Sequence, residues 1–230
     1  MRVLMYEKKG IFMLKTSELI YGNAVYKNEY VRKNEKKFVD LAENGQTPQA
    51  LFIGCADSRV VPNLITQTDP GDMFVVRNVG NFVPAYGSEG DLGGISSAVE
   101  YAVQALNVSE IIVCGHTHCG AISALYSGVD SQKFTYVNRW LQHGRMAQVM
   151  AVETLGEKAG ADALLRATEK FSVMTQMENL LTYPFVKERV ELGTLQIHGW
   201  LYDIKSGEVE YYDAEQGHFV EMDDTLELSA

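Results

Sequence analysis

Short apolar runs alternate with amphipathic stretches along this chain. Residues 50–54 (Ala-Leu-Phe-Ile-Gly), 73–76 (Met-Phe-Val-Val) and 110–114 (Glu-Ile-Ile-Val-Cys) are each too short for a helix and read as buried strands. Residues 194–202 predict a fourth strand. Residues 208–212 follow it across a Ser206-Gly207 turn, so these last two should pair as a hairpin. Between the second and third strands, Ile95, Val99, Ala102, Val103 and Leu106 recur at helical spacing, with Glu100 and Gln104 as polar members. Residues 160–182 predict a further helix with its apolar stripe on Leu164, Ala167, Phe171, Met174, Met177 and Leu181. Tyr183-Pro184 ends it, and Pro184 opens another helix that stops at Gly193. Residues 14–45 are rich in Lys, Glu, Ala and Leu and lack Pro. They predict one or two helices, broken or bent near Gly22 and ended by Asn44-Gly45. Strands alternating with helices argue for an α/β fold around a mainly parallel sheet, in which ligands belong at the carboxyl ends of the strands.

Composition narrows the function. The chain has 230 residues, 46% hydrophobic and 22% charged, which suits a single globular domain over residues 1–230. Its net charge of −10 opposes binding to phosphate backbones. The basic cluster in residues 27–37 is interrupted by Glu29 and Glu35 and reads as a solvated helix face, so no nucleic-acid partner is expected. No apolar run approaches the ~20 residues of a membrane span. The N-terminus lacks the apolar core and cleavage site of a signal peptide. Three cysteines do not make a disulfide framework and suit a reducing cytoplasm.

The chemistry lies where two of the strands end. One ends in Gly54-Cys55-Ala56-Asp57-Ser58-Arg59, the other in Gly115-His116-Thr117-His118-Cys119-Gly120. Together they offer two thiolates, an imidazole and a carboxylate, a donor set that suits zinc. A structural zinc normally closes with four Cys or His ligands. Three converge here unless Asp57, His118 or Cys114 adds a fourth, and an open position is the signature of a hydrolytic or hydrating zinc.

These motifs resemble those of the β-class carbonic anhydrases, whose pattern is C-x-D-S-R followed by G-H-x-x-C-G. Residues 55–59 and 115–120 match it, and the likeness extends over residues 14–222, including P-G-D-M-F-V-V-R-N-V-G-N at 70–81, E-Y-A-V at 100–103 and H-G-W-L-Y-D at 198–203. The nearest general likeness is to plant-type members and to bacterial ones that accompany cyanate degradation. The resemblance implies a four-stranded, mainly parallel sheet with an antiparallel fifth strand, flanking helices and an N-terminal helical arm. It implies one zinc (Zn2+) per chain on Cys55, His116 and Cys119, with Asp57 joining them only in a closed state. It further implies catalytic roles for Asp57 and Arg59, and substrate contacts from Gln46, Phe74, Val79, Tyr101 and Gly120. The implied reaction is reversible hydration of carbon dioxide to bicarbonate and a proton, by hydroxide generated at zinc. The implied partner is a second copy of the chain, in a homodimer or dimer-based assembly, with residues 14–45 as the dimerisation arm. Residues 1–13 form an extra segment, and Met13 is an alternative start.

Other residues take plainer readings. Cys114 reads as a small buried hydrophobe, His198 as a satisfied core histidine, and Gly93-Gly94 as a turn. His118 occupies a variable slot of the motif with an open role in proton transfer, and Arg77 is either an anion site or a structural ion pair. Ala105 stands where some plant enzymes carry a shuttling histidine. Phe52 stands where the bicarbonate-regulated members carry a tryptophan, so Asp57 is expected to stay on Arg59. The competing functions are hydrolysis of carbon disulfide or a related heterocumulene, and a non-catalytic zinc-stabilised assembly protein.

Overall fold

The structure, a computed structural model, describes residues 15–88 and 93–221. It divides into two compact units, Met1–Gln46 and Thr47–Ala230. Residues 1–14, with Met13, lie outside the described part.

In the first unit, helix α1 (Thr16–Val25) runs into an irregular helical stretch, Tyr26–Asn34, before α2 (Glu35–Glu43). The break expected at Gly22 is not there: Gly22 lies inside α1. A glycine in an exposed helix lowers stability by only ~1 kcal/mol relative to alanine and does not by itself bend the chain. The irregularity falls instead where Asn34 Nδ2 donates to the Tyr30 carbonyl and competes for the helix's own acceptor. There Tyr26 and Tyr30 stack 5.4 Å apart, and both meet Phe38 edge-on.

The second unit is built on a six-stranded sheet. Its strands are β1 (Ala50–Cys55), β2 (Met73–Asn78), β3 (Glu110–His116), β4 (Gln196–Tyr202), β5 (Val209–Asp213) and β6 (His218–Glu221), in the order β2-β1-β3-β4-β5-β6. The first four are parallel and β5 is antiparallel to β4, which is the sheet expected. The hairpin strand β6 is an addition. Asp213 forms its turn by accepting the N–H groups of Glu215 and Gln216, and Gly217 supplies the positive φ. A strand of four residues carries too little periodicity to be read from sequence.

The central strands β1 and β3 are buried along nearly their whole length, as crossover topology requires, whereas the edge strand β2 and β4 are mostly half-buried. Leu51 and Ile53 of β1 join Ile111 and Val113 of β3 in the main core. Val99, Ala102 and Val103 reach that core from the helix α4 (Gly94–Glu100) and its continuation Tyr101–Ala105. Each buried aliphatic side chain contributes roughly 1.5–3 kcal/mol. Four further helices are α3 (Pro62–Thr66), α5 (Gly120–Ser127), α6 (Thr135–Trp140) and α7 (Arg145–Leu155).

Helix α8 (Ala161–Leu181) crosses β3 and β4, and α9 (Pro184–Glu191) follows it. Two glycines allow α8 to approach. A Cβ at Gly115 would lie 2.7 Å from Val173 Cγ2, and one at Gly199 would lie 2.5 Å from Met177 Sδ. The face of α8 that is buried is not the apolar stripe expected. The stripe residues are only half-buried and Leu181 is exposed, whereas Thr168, Glu169, Ser172, Thr175 and Gln176 are buried with Val173 and Leu180. Polar groups occupy this face because they serve the main chain of neighbouring loops. Gln176 Oε1 accepts the Val83 N–H at 2.7 Å and Asn179 Nδ2 donates to the Val83 carbonyl at 2.8 Å.

His198 is likewise not a core residue. Its side chain is 41% exposed and Nε2 lies 2.6 Å from a Glu110 carboxylate oxygen on β3. A carboxylate on the neighbouring strand holds it at the sheet surface.

Candidate metal centre at the strand ends

Strands β1 and β3 are adjacent and parallel, so their carboxyl ends open on the same side of the sheet. β1 ends on Cys55 and β3 on His116. Cys119 caps the N-terminus of α5. The two sulfurs and an imidazole nitrogen lie within 4.8 Å of one another. His116 is 1% exposed. Its Nδ1 lies 2.9 Å from the Thr117 carbonyl, which can only accept, so Nδ1 carries the proton. Nε2 is then a bare lone pair, buried and without a hydrogen-bond partner. An orphaned imidazole nitrogen beside two thiols is a donor set and arrangement that fits a tetrahedral zinc.

One sulfur, that of Cys55, is prepared for ionisation. The Gly80 N–H points at Cys55 Sγ, 3.4 Å away. Gly80 has φ +83°, and a Cβ there would lie 2.8 Å from the Phe82 ring and 2.9 Å from Ala121, so only glycine brings this amide to the sulfur. Within the pair, Cys55 is the thiol whose pKa is pushed down. The Cys119 thiol hydrogen-bonds to it and lowers its pKa against the opposing effect of burial, and the Asp57 and Gly80 amides add to the lowering. Cys119 is raised by that same bond and by burial, while the Ile122 and Ala121 amides at the start of α5 oppose the rise. A metal cation is what would ionise both. Cys114 stands apart from the cluster: it is fully buried and desolvation pushes its thiol up to about 12.

Asp57 and Arg59 form a bidentate pair. Arg59 Nε donates to Asp57 Oδ1 at 2.9 Å and Nη2 to Oδ2 at 2.7 Å, with the Arg59 amide adding a third bond to Oδ1 at 3.0 Å. These bonds hold the Asp57 carboxyl well below the usual carboxylate range. Asp57 Oδ2 is 4.0 Å from His116 Nε2, so the carboxylate flanks the cluster while bound to arginine. Arg59 Nη2 also donates to the His118 carbonyl at 3.2 Å, which ties the two motifs together. His118 itself is exposed and takes a left-handed φ of 57°.

Arg77 resolves into a main-chain clamp. Its Nε donates to the Cys55 carbonyl at 2.9 Å and its Nη2 to the Asp57 carbonyl at 2.6 Å. On the other side of the cluster, Glu169 Oε1 accepts the Cys119 N–H at 3.1 Å and an Arg166 Nη2 bond at 2.7 Å. Glu169 is 2% exposed, and burial pushes its carboxyl up to about 7 against the pull of Arg166 and the Cys119 amide. Sequence reading missed Glu169, whose only signal is an Arg166-x-x-Glu169 spacing ordinary on any helix surface.

The other residues of interest are placed as follows. Gly120 opens α5 directly after Cys119. Phe74 and Tyr101 bring their rings to 5.8 Å, and Tyr101 is half-exposed. Val79 is 44% exposed, immediately precedes Gly80, and accepts the Trp140 Nε1–H through its carbonyl at 2.7 Å. Gln46 is an exposed residue at the end of the first unit.

Comparison with known proteins agrees with this geometry. The family model described as carbonic anhydrase matches residues 50–209. A carbonic anhydrase of Pseudomonas aeruginosa is 42% identical over 215 residues, covering 93% of this chain and 94% of that one. Among solved structures, the β-carbonic anhydrase CcaA superposes with a TM-score of 0.83 at 40% identity, covering 91% of this chain and 92% of that one. A tetrameric β-carbonic anhydrase of Sordaria macrospora gives 0.75 at 28% identity, over 85% and 95% of the two chains.

Proposed function

The chain belongs to the β-class carbonic anhydrase family, and from that premise we propose that it binds one zinc ion on Cys55, His116 and Cys119 and hydrates carbon dioxide reversibly to bicarbonate. One observation carries the proposal: two thiols and a buried, partnerless imidazole nitrogen converge beside a carboxylate already paired with arginine. Zinc here supplies a Lewis acid that lowers the pKa of water, less strongly than a three-histidine site does, because two thiolates place more negative charge on the metal.

The chain's own groups do the rest. Asp57, kept ionised by Arg59, accepts a hydrogen bond from the attacking water and turns its lone pair toward the substrate carbon. Arg59 keeps the carboxylate off the metal through charge-assisted bonds. Phe74, Val79 and Tyr101 supply apolar walls for a nonpolar substrate, with Gly120 beside the cysteine. Gln46 keeps the role the resemblance gives it, a donor to a substrate oxygen. A dry pocket keeps such fixed dipoles effective.

The working assembly in this reading is a homodimer or a multiple of it, in keeping with the tetrameric relative. Among the described residues, no helix is long and apolar enough to cross a membrane. The three free thiols fit the reducing cytoplasm, where we place the protein.

Stopped-flow hydration of carbon dioxide, paired with elemental analysis before and after chelation, tests the proposal. Activity that tracks one zinc per chain supports it. Active protein without metal would overturn it.

A further inference from the structure

The H-x-x-C turn has a structural problem at its centre. The chain must leave β3 at His116 and enter α5 at Gly120 within a few residues, with His118 in the left-handed region. Thr117 finds a strand partner in the Tyr202 carbonyl, but the Cys119 amide has neither a strand nor a helix acceptor, and its residue is only 3% exposed. A buried amide needs an acceptor. The acceptor is the side chain of Glu169, whose Oε1 is 3.1 Å from the Cys119 nitrogen.

Reaching that point requires the close helix approach described above. The Glu169 carbonyl would lie 3.7 Å from a Cβ at Gly115, the residue just before the ligand His116. The carboxylate is aimed in turn by Arg166, 2.7 Å away and one helical turn earlier. Glu169 is thus nearly fully buried, charged or neutral, in a place where a hydrophobic residue would pack more readily.

Resting on the zinc reading above, we infer that Glu169, aimed by Arg166, is a positioning residue for the metal centre: it fixes the end of the turn from His116 to Cys119 by the Cys119 main-chain amide and so sets Cys119 Sγ against His116 Nε2. It touches neither metal nor substrate and acts through Cys119. Partners of this kind behind a ligand change metal affinity by about 10–100-fold when removed.

Three substitutions separate reach from charge. Glu169→Gln keeps an oxygen at the same length without the charge. Glu169→Asp keeps the charge one methylene too short. Glu169→Ala removes both. Zinc affinity is read by competition with a chromophoric chelator on purified full-length protein, beside thermal melts of metal-free and zinc-loaded forms. The expected result is zinc binding within about threefold of the unsubstituted protein for Glu169→Gln, and at least about 10-fold weaker for Glu169→Asp and Glu169→Ala. Zinc should also raise the melting temperature of the latter two by less.

If Glu169→Ala does not fold, the Gln and Asp variants decide. Equal affinity across the variants, with lowered melting temperatures alone, would mean a purely structural buried pair and overturn the inference. So would Glu169→Gln losing as much as Glu169→Asp, because an oxygen at the right reach would then not be enough to hold the turn. Failure of the unsubstituted protein to bind zinc is a separate result, which overturns the metal reading itself.

Discussion

Replacing Gly115 with alanine tests the contact that sets the height of α8 over the sheet. The added Cβ would stand 2.7 Å from Val173 Cγ2 and 3.5 Å from Leu201 Cδ1. Carbon atoms pack at about 3.5–4.0 Å, so the first contact is short by about 1 Å. Val173 is fully buried, and a β-branched residue in a helix has essentially one χ1 rotamer, so it cannot swing aside. The helix itself must lift, or β3 must sink. Overpacking of this kind costs about 1–3 kcal/mol. For a chain of this length each kcal/mol moves the melting temperature by about 2–4 °C, so Gly115→Ala should melt about 2–12 °C lower, compared at equal protein and zinc concentrations. Gly199→Ala, which meets Met177 and Val173 on the adjacent strand, should fall in the same range. Only Gly115→Ala, beside His116, should also loosen zinc. Scanning calorimetry with chelator competition reads both quantities. A Gly115→Ala protein melting within about 1 °C of the unsubstituted one would refute the packing argument, since no neighbour with easy freedom to yield lies at that contact.

Arg59→Ala should free Asp57, whose Oδ2 already stands 4.0 Å from His116 Nε2, to turn toward the metal. Hydration measured by stopped flow should then fall on the order of 10–100-fold with zinc content unchanged. Bicarbonate should not inhibit cooperatively in steady-state assays, because Phe52 is fully buried without an N–H to offer and Arg77 is committed to the Cys55 and Asp57 carbonyls. Asp203 and Asp213 are both held below the ordinary carboxylate range, chiefly by the turn amides of Ser206 and Gln216. Depressed folded values stabilise the fold fully above the unfolded value of about 3.9, and the stabilisation is lost as pH falls below it. In urea titrations the advantage of the unsubstituted protein over the Asp203→Asn, Asp213→Asn double variant should therefore be constant above about pH 5 and close as pH falls through 4 toward 3.

The parallel sheet was legible because its central strands β1 and β3 are almost wholly buried and so read as apolar runs within residues 50–54 and 110–114. The cluster was legible because cysteine and histidine are scarce and both motifs fall at strand ends. Helix α8 was read on the wrong face. Its stripe at Leu164, Phe171 and Met174 is real but only half-buried, while the face against the sheet carries Glu169, Ser172 and Gln176. Hydrophobic periodicity cannot find a buried face whose side chains bond to loop main chain, since the acceptors and donors they satisfy leave no mark in the sequence. His198 shows the converse error. It sits in a strand, yet it stays at the surface because Glu110 holds it there. The roles of Arg77 and Glu169 were invisible for the same reason as the α8 face: each bonds main-chain groups, which every residue possesses.

That reason bears on how the centre is held. Two sulfurs and a carboxylate stand together here, and of the side chains around them Arg59 pairs with the carboxylate. Most of the remaining contacts fix backbone. Arg77 holds the carbonyls of Cys55 and Asp57, Arg59 reaches the His118 carbonyl, and Glu169 holds the Cys119 amide. Thr117 extends the same scheme outward: its amide donates to the Tyr202 carbonyl and its hydroxyl accepts the Ile204 amide, so the residue whose carbonyl sets the His116 tautomer is itself anchored to the end of β4. Each ligand is thereby fixed through its own peptide unit from a different element: β2 for Cys55, β4 for His116, α8 for Cys119. A ligand set fixed in this way loses little conformational entropy when a metal arrives. It also resists moving to a closed arrangement, because Asp57 would have to leave Arg59 while the carbonyl behind it stays clamped to Arg77. In the proposed zinc form, the open position then rests on the Asp57–Arg59 pair and on the clamped backbone that carries it.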